Sequence, residues 1–246
     1  ANIVRRYESR LAFFRTGPDG GQYAALTEGL ARATGDVLGW LNADDLHMPW
    51  SLATLARLFA DLPDMDWVTS RVPVVFRADG LPILADEIPG IGPAQFRAGA
   101  AVPGAPWRRA HGVQQESTFF RRRLWEKAGG FDPDCGLAGD FALWCRFAAR
   151  AELHYVNVPL AGFRRHSGNR SADAARYEAE ALAAYRATGW KPWSPARAAL
   201  AVPATRALRA INAPVLRRAA AMMGLYEAAP IVRYDEAAAR WRVSRE

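Results

Sequence analysis

The amino-acid sequence predicts an α/β fold, with a mostly parallel sheet flanked by helices and a helical tail at the C-terminus. Three observations support this prediction. Short apolar runs of strand length alternate with segments of ten or so residues that have helical periodicity. Glycine and proline mark many of the junctions between these segments. After Tyr185 the composition changes to alanine- and arginine-rich stretches that prolines interrupt.

The first half of the chain is predicted to contain the end of a helix, a short strand, a helix, a strand, a second helix and a β-hairpin. In that order they are assigned to Ile3–Arg10, Leu11–Arg15, Tyr23–Ala33, Val37–Leu41, the segment after Pro49, and Asp66–Arg77 with Leu81–Ala85. The glycine- and proline-rich stretch Pro89–Pro106 is predicted to be a mobile loop over one end of the sheet.

The second half continues the alternation of strands and helices. It is assigned a strand, two helices and a strand at Glu116–Arg121, Arg122–Ala128, Asp140–Ala151 and Leu153–Val158. We expect a body of residues 1–190 and a basic helical tail of residues 191–246. No internal repeat is found.

Composition and cysteine usage exclude several classes of protein. The 246 residues are 50% hydrophobic and 23% charged, which is typical of a folded protein rather than a disordered, collagen-like or coiled-coil chain. No apolar run approaches the ~18 residues needed to span a bilayer, and the first 15 residues resemble no signal peptide. Cys135 and Cys145 cannot form a disulfide framework and match no zinc motif. We therefore expect a cytoplasmic protein.

The net charge of +7 is confined to the end of the chain. Residues 1–185 contain 21 basic and 21 acidic side chains, whereas residues 186–246 contain 11 basic and 4 acidic ones. A neutral body argues against a nucleic-acid groove, so no nucleic-acid partner is expected. A basic tail suits contact with an anionic surface, such as the inner face of the plasma membrane. The alternative is that its short amphipathic helices pack on the body or on a second subunit.

The run Gly39–Asp45, GWLNADD, is the most informative motif. An apolar strand that leads directly into carboxylates delivers them to the C-terminal edge of the sheet, where open α/β sheets bind ligands. Adjacent carboxylates repel each other, so a cation or a donor-rich ligand would stabilise them there. The alternative is a solvated turn or a helix N-cap, because Asp favours both.

Two further segments carry candidate chemistry. Asp140 would begin a helix whose buried face carries Trp144 and Phe147, which suits either a general base or a simple helix cap. His166 directly follows a strand and is flanked by arginines. A lone histidine is more often structural than catalytic, and the pattern alone leaves both interpretations open.

Taken together, these blocks resemble the family 2 glycosyltransferases of bacterial surface-polysaccharide synthesis. The similar blocks are DGGQYAALTEGLARATG with DVLGWLNADD, Gln114–Phe120 with RRRLWEKAGGFD, GDFALWCRFA, and FRRHSGNRS. The resemblance implies the GT-A fold and an inverting transferase that moves a sugar, of the hexosyl type, from a nucleotide-diphosphate donor to a glycan or lipid-linked acceptor. The alternative is a non-catalytic carbohydrate- or partner-binding protein with a degenerate GT-A fold.

On the donor side, the resemblance implies contacts from four residues and a divalent cation. Asn42-Ala43-Asp44 occupies the place of the family's D-x-D motif, so Asp44 is implied to bind Mg²⁺ or Mn²⁺ on the donor diphosphate. Asn42 stands where the family has its first Asp, which predicts weaker metal binding. The implied donor contacts are Gln22, Asn42, Asp44 and Asp45.

On the acceptor side, Asp140 matches the family's catalytic base. Gln115 and Glu116 match the segment that lines the donor sugar and the acceptor, and Trp144 is either a stacking face for a sugar ring or a core residue. His166 matches a histidine that closes over the diphosphate or the metal, since imidazole commonly binds Mn²⁺.

The chain departs from the family pattern in two places. Ala24 and Thr27 stand where the family often has Asp and usually has Asn. The family's first strand–helix–strand, which holds the base and the ribose, has no counterpart here. We therefore expect the sequence to be part of a longer protein.

Overall fold

The computed structural model describes residues 2–105, 112–132, 134–170, 173–194, 196–197, 199–200, 204, 207–208, 214–223 and 227–245. Ten strands lie within these residues. They are β1 Val37–Leu38, β2 Leu46–His47, β3 Trp67–Ser70, β4 Val74–Arg77, β5 Pro82–Ala85, β6 Phe119–Arg121, β7 Leu153–Val156, β8 Ala161–Arg165, β9 Pro230–Asp235 and β10 Arg240–Arg245.

The helices of the described residues follow the predicted alternation. They are α1 Asn2–Arg5, α2 Gln22–Arg32, α3 Ser51–Asp61, α4 Pro93–Arg97, α5 Arg122–Ala128, α6 Gly139–Ala148, α7 Ala174–Ala187 and α8 Pro214–Met222, with 3₁₀ helices at Glu8–Arg10 and Gln115–Ser117. The α/β class is therefore confirmed. Among these helices, none is both long enough and apolar enough to cross a membrane.

The strands form two mixed sheets, so the expected mostly parallel sheet is wrong. The larger sheet has the order β1-β6-β3-β7-β9-β10, and the smaller one has the order β2-β8-β4-β5. In the larger sheet only β3–β7 and β7–β9 pair in parallel, because β6 enters antiparallel between β1 and β3 and β10 returns from β9. The smaller sheet contains one parallel pair, β4–β8.

The main core lies between the larger sheet and the helices α5 and α6. Trp67 and Phe120 on the sheet are fully buried, and so is Phe147 on α6. Burying aromatic side chains of this size is a large favourable contribution, and edge-to-face ring contacts such as Trp67 with Phe147 add to it. The core thereby fixes α6, whose first turn carries the candidate base.

The predicted boundary at residue 190 is also wrong in part. The segment after it contains α8, but its last residues form the hairpin β9–β10, and β9 pairs in parallel with β7 of the body. Ile231 and Val232 are buried in the two cores of the body. The helical description failed because Arg240 and Arg242 alternate with Trp241 and Val243 on β10, and the overall arginine-rich composition concealed that period of two. Ile211 and Leu225, also assigned to the tail, lie outside the described residues.

Two local predictions need correction as well. Leu11–Arg15 forms no strand. The described part of the predicted mobile loop, residues 89–105, contains α4 and buries Phe96, Ala101 and Val102 against the main core. The predicted hairpin around Gly80 is present as β4–β5, with Gly80 at φ 87°, a conformation that glycine adopts without strain.

Candidate active site

A cavity of about 550 Å³ collects most of the predicted site residues. Its walls come from α2, the turn after β1, the 3₁₀ helix at Gln115–Ser117, the start of α6, the turn after β8, and α7. The predicted residues that line it are Gln22, Asn42, Asp44, Gln115, Glu116 and Asp140. Residues from distant parts of the chain therefore meet at one polar cavity.

The two adjacent carboxylates after β1 lie in different environments. Asp45 is buried at 5% exposure, and its Oδ1 accepts a hydrogen bond from the backbone N–H of Arg164 at 2.9 Å. Burial raises the pKa of Asp45, although this bond and one from Asn42 lower it. The Asp44 carboxylate is more exposed and lines the cavity. Asp45 therefore joins the turn to β8, and Asp44 is the carboxylate presented to a ligand.

Asn42 is the centre of an amide network rather than a free ligand-binding group. Its Oδ1 accepts from Gln22 Nε2 at 2.9 Å, and its Nδ2 donates to Gln115 Oε1 at 2.9 Å and to Asp45 Oδ2 at 3.2 Å. Gln115 Nε2 donates in turn to the carbonyl of Trp40 at 2.8 Å. An Asp at position 42 would place a second carboxylate against the buried Asp45. The amide therefore satisfies Asp45, which explains locally why Asn stands at this position.

His166 holds Asp44 from the turn after β8. The backbone N–H of Gly168 donates to His166 Nδ1 at 3.1 Å, and His166 Nε2 lies 2.9 Å from Asp44 Oδ2. Since Nδ1 accepts, this pattern assigns the proton to Nε2, which then donates to Asp44. Asn169 Nδ2 also donates to Asp44 Oδ2, at 3.2 Å. Asp44 is thus oriented by two donors.

The cavity offers few ligands for a metal ion. No group of three or more His, Cys, Asp or Glu side chains in the described residues could hold a cation. Asp44 alone fits Mg²⁺ or Mn²⁺, because such ions are often held by one or two carboxylates together with substrate phosphates. The predicted ligation by His166 stays a prediction; its Nε2 lies beside Asp44 Oδ2, next to the place where Asp44 would hold the cation.

Asp140 lies in the first turn of α6 and lines the cavity. Its Oδ1 accepts from the backbone N–H of Phe141 at 2.7 Å, and the hydroxyl of Tyr177 on α7 donates to Oδ1 and Oδ2 at 3.2 and 3.3 Å. Burial raises the pKa of Asp140 to about 6, and the two hydrogen bonds partly oppose that rise. A carboxylate with a pKa near 6 is ionised at neutral pH and able to accept a proton.

The loop before Asp140 is held tightly against α2 and α7. The Tyr23 hydroxyl accepts from the backbone N–H of Asp140 at 3.1 Å and donates to the carbonyl of Leu137 at 3.0 Å. On α7, Glu180 Oε2 accepts from the backbone N–H of Ala138 at 3.1 Å. A Cβ at Gly139 would lie 2.6 Å from the Tyr23 ring, so glycine is needed for this close approach. The position of Asp140 is therefore fixed from both sides.

Glu116 is a buried acid at the floor of the cavity. It is 3% exposed, and its Oε1 has no hydrogen-bond partner among the described residues. Burial, together with the charges of Asp45, Asp140 and Asp44, raises its pKa to about 8. Glu116 is therefore mostly protonated at neutral pH, so that it can donate a hydrogen bond to a ligand oxygen.

Trp144 belongs to the core and offers no face to a sugar, which corrects that part of the prediction. It is 1% exposed, and its ring is stacked against Trp40 and Trp67 with centroid distances of 5.6 and 5.8 Å. The apolar stripe of α6 already indicated a core position. Trp40, which precedes the candidate metal turn, lines the cavity in its place.

Sequence reasoning missed several residues of the cavity. Asn169 and Arg170 line it, and Arg170 Nη1 donates to Gln22 Oε1. Both residues stand in the motif FRRHSGNRS, which gave them a signal. Tyr177 stands in an ordinary amphipathic helix, and the sequence gave no sign of its contact with Asp140.

Comparison with known proteins finds a similarity to one family. Residues 1–99 match the model of glycosyl transferase family 2. Two proteins of Mycobacterium tuberculosis, one from strain CDC 1551 and one from strain H37Rv, are 29% identical to the chain over 163 residues, and both are named as uncharacterized glycosyltransferases. The match covers 63% of this chain and 55% of each relative, so the chain spans about half the length of these relatives.

Proposed function

We propose that this chain is a family 2 glycosyltransferase with a GT-A-like fold, and that it transfers a sugar from a nucleotide-diphosphate donor to an acceptor hydroxyl with inversion. The observation that supports this proposal is the shared cavity. It brings an exposed carboxylate suited to a cation, Asp44, into the same space as a carboxylate poised to accept a proton, Asp140.

The donor is held by the turn after β1 and the turn after β8. When bound, a divalent cation would neutralise charge on the diphosphate, and Asp44 is the residue that would hold it. His166 Nε2 would then donate to a diphosphate oxygen. Arg170, an exposed cation at the rim next to Gln22, would add positive charge to the same group. We propose that the cation is Mg²⁺ or Mn²⁺.

The acceptor hydroxyl is activated by Asp140. An ionised Asp140 oxygen takes the hydroxyl proton while the acceptor oxygen forms its bond to the anomeric carbon. The bond from that carbon to the diphosphate oxygen breaks in the same displacement, and the nucleoside diphosphate leaves with the electron pair. Because attack and departure occur on opposite faces of the sugar, the anomeric configuration inverts.

The neutral carboxyl of Glu116 fits a sugar-binding role within this reaction. It is buried and lacks a partner for Oε1, and a sugar hydroxyl would satisfy it. Together with the amides of Gln115 and Gln22, it gives the cavity the polar groups that recognise a polyhydroxylated ligand. A hexosyl donor and a glycan or lipid-linked acceptor of surface-polysaccharide synthesis fit this chemistry. We propose that the enzyme acts at the cytoplasmic face of the membrane.

The experiment is a screen of nucleotide-diphosphate sugars with Mn²⁺ and a panel of glycan acceptors, read by release of nucleoside diphosphate. Full-length protein is used, and Asp140→Asn is the matched control. Release that requires a particular donor, an acceptor and Asp140 supports transfer. Binding of a nucleotide or a glycan with no release for any donor would instead favour the non-catalytic binding protein.

A further inference from the structure

Helix α8 presents an apolar face to solvent. Val215, Leu216, Met222 and Met223 are 76%, 54%, 90% and 65% exposed, and Ala219 between them is exposed as well. At 100° per residue these five positions fall within about 120° of the helix circumference. They form one continuous face, which we call the α8 apolar face.

Helix α8 contacts the protein at Ala220, next to Leu216 on the helix circumference, and at Arg217, on the side opposite the apolar face. Ala220 is buried in a small cluster with Leu208 and Ala228, and Arg217 Nε donates to the carbonyl of Leu208 at 2.8 Å. Just beyond the helix, the Glu227 carboxylate accepts from two backbone N–H groups at the start of α4. The helix is thus anchored with its apolar side outward, the reverse of an ordinary surface helix.

The charged side chains of the segment that contains α8 are all basic. Residues 186–226 contain seven basic side chains and no acidic one. Exposed Arg218 lies about 40° from Met222 on the helix circumference, at the edge of the apolar face. Arg206 and Arg209 add to the charge of the segment, although they lie outside the described residues. The apolar face therefore lies in a segment whose charged side chains are all basic, and such a surface complements a partner that is apolar inside and anionic at its surface.

We propose that the α8 apolar face inserts into the headgroup region of an anionic lipid bilayer. Short basic amphipathic helices bind in this way, lying in the plane of the interface. The face extends about 10 Å along the helix axis, so it can lie flat while Ala220 stays on the protein. A bilayer accommodates two flexible methionines without a shaped groove, and its headgroups supply the anions that the segment lacks. The proposal rests on α8 alone and can fail without affecting the proposed transfer reaction.

Point substitutions are the appropriate test, because truncating the C-terminal region would also remove β9 and β10 from the larger sheet. The test variant combines Leu216→Ser, Met222→Ser and Met223→Ser, all at exposed positions. The matched control combines Leu81→Ser, Ile83→Ser and Leu84→Ser, which removes exposed apolar side chains from and beside β5. A third variant, Arg218→Glu, reverses charge at the edge of the face. Thermal unfolding of each variant confirms that the fold is kept.

Binding is measured by co-sedimentation with phosphatidylcholine vesicles that contain, or lack, about 30% phosphatidylglycerol. The wild-type chain and the β5 control should sediment with the anionic vesicles only, and salt should weaken the binding. The α8 triple variant should bind at least about tenfold more weakly, and Arg218→Glu should also lose affinity. Equal binding by the triple variant would overturn the proposal, as would equal binding to neutral vesicles. Self-association in solution that the triple variant abolishes, without vesicle binding, would assign the face to a second copy instead.

Discussion

The two walls of the cavity differ in burial, and the difference separates their roles. On one wall, Asp44 is partly exposed and Arg170 is exposed, and Asp44 is held by His166 and Asn169 from the turn after β8. On the other wall, Asp140 and Glu116 have raised pKa values because burial disfavours their charge. On the open wall, the charges of Asp44 and Arg170 are available to bind a ligand. On the buried wall, the fold itself determines the pKa values of Asp140 and Glu116 before any ligand binds. Donor binding and proton transfer should therefore be separable by mutation.

The largest effect is expected from Asp140→Asn. The amide keeps the shape of the side chain but cannot accept a proton, so transfer should fall by about 10²–10⁴. Steady-state rates with saturating donor measure this loss. Nucleotide binding should stay close to wild type, and a parallel loss of binding would mean that the walls are not separable.

Asp140→Asn should also change the stability of the fold, in a direction that depends on pH. The folded-state pKa of Asp140 is raised to about 6, so its neutral form stabilises the fold at low pH and that contribution is lost as pH rises through about 6. Asp140→Asn should therefore be more stable than wild type above pH 6. Thermal unfolding at pH 5 and pH 8 tests this, and an equal or lower stability of the variant at pH 8 would contradict it.

The next effect is expected from Asp44→Ala on the open wall. Loss of the one carboxylate suited to a cation should weaken Mn²⁺-supported binding of a nucleoside diphosphate by about 10–100-fold. The fold should be unchanged, because Asp44 is partly exposed and its contacts are with His166 and Asn169 in the turn after β8, outside the core. Titration calorimetry with and without Mn²⁺ measures the change. Full Mn²⁺ dependence in the variant would remove Asp44 from the metal site.

Asn42→Asp tests the hydrogen bonds by which Asn42 connects Asp45 to Gln115. It restores the acid that the family usually has, but it replaces a donor to Asp45 Oδ2 with a second carboxylate. We expect a loss of about 1–3 kcal/mol in the free energy of unfolding at neutral pH, since a buried acceptor loses its donor. Denaturant unfolding measures it, and Asn42→Ser serves as a control without the added charge. Improved metal binding at unchanged stability would contradict this account of Asn42.

The smallest effect is expected from Tyr177→Phe. The Tyr177 hydroxyl stabilises the ionised form of Asp140, so its removal should raise the pKa of Asp140 further. The rate at pH 7 should fall by about two- to tenfold and recover at higher pH. A loss that is equal at every pH would show that Tyr177 supports only the packing of α7.

Sequence reasoning located the motifs but not the contacts between them. The strand that ends in Asn42–Asp45 and the helix that begins near Asp140 follow from local periodicity, and both are present. The partners of Asn42 and Asp140 do not follow, because Gln115 and Tyr177 lie 73 and 37 residues away from them in the chain. Strand direction also depends on tertiary pairing, which is why β6 could not be placed antiparallel between β1 and β3 from sequence.

In the C-terminal region the sequence prediction assigned the secondary structure itself wrongly in part. The composition of this region correctly gave its positive charge. Composition does not distinguish α8, whose apolar face is exposed, from the hairpin β9–β10, which completes the larger sheet. Burial of Ile231 and Val232 depends on β7, whose paired residues lie 76 positions earlier and which no local pattern connects to them.

The most direct test of the two-wall account is the pH dependence of kcat/KM for transfer at saturating Mn²⁺. If Asp140 is the base, the wild-type value should rise about tenfold per pH unit below pH 6 and level off between pH 6 and about 8, since the ionised carboxylate is required. Above about pH 8, ionisation of Glu116 should lower the value. The residual activity of Asp140→Asn should lack this rise. A wild-type profile that is flat between pH 5 and 7, or a rise that survives in Asp140→Asn, would contradict the account.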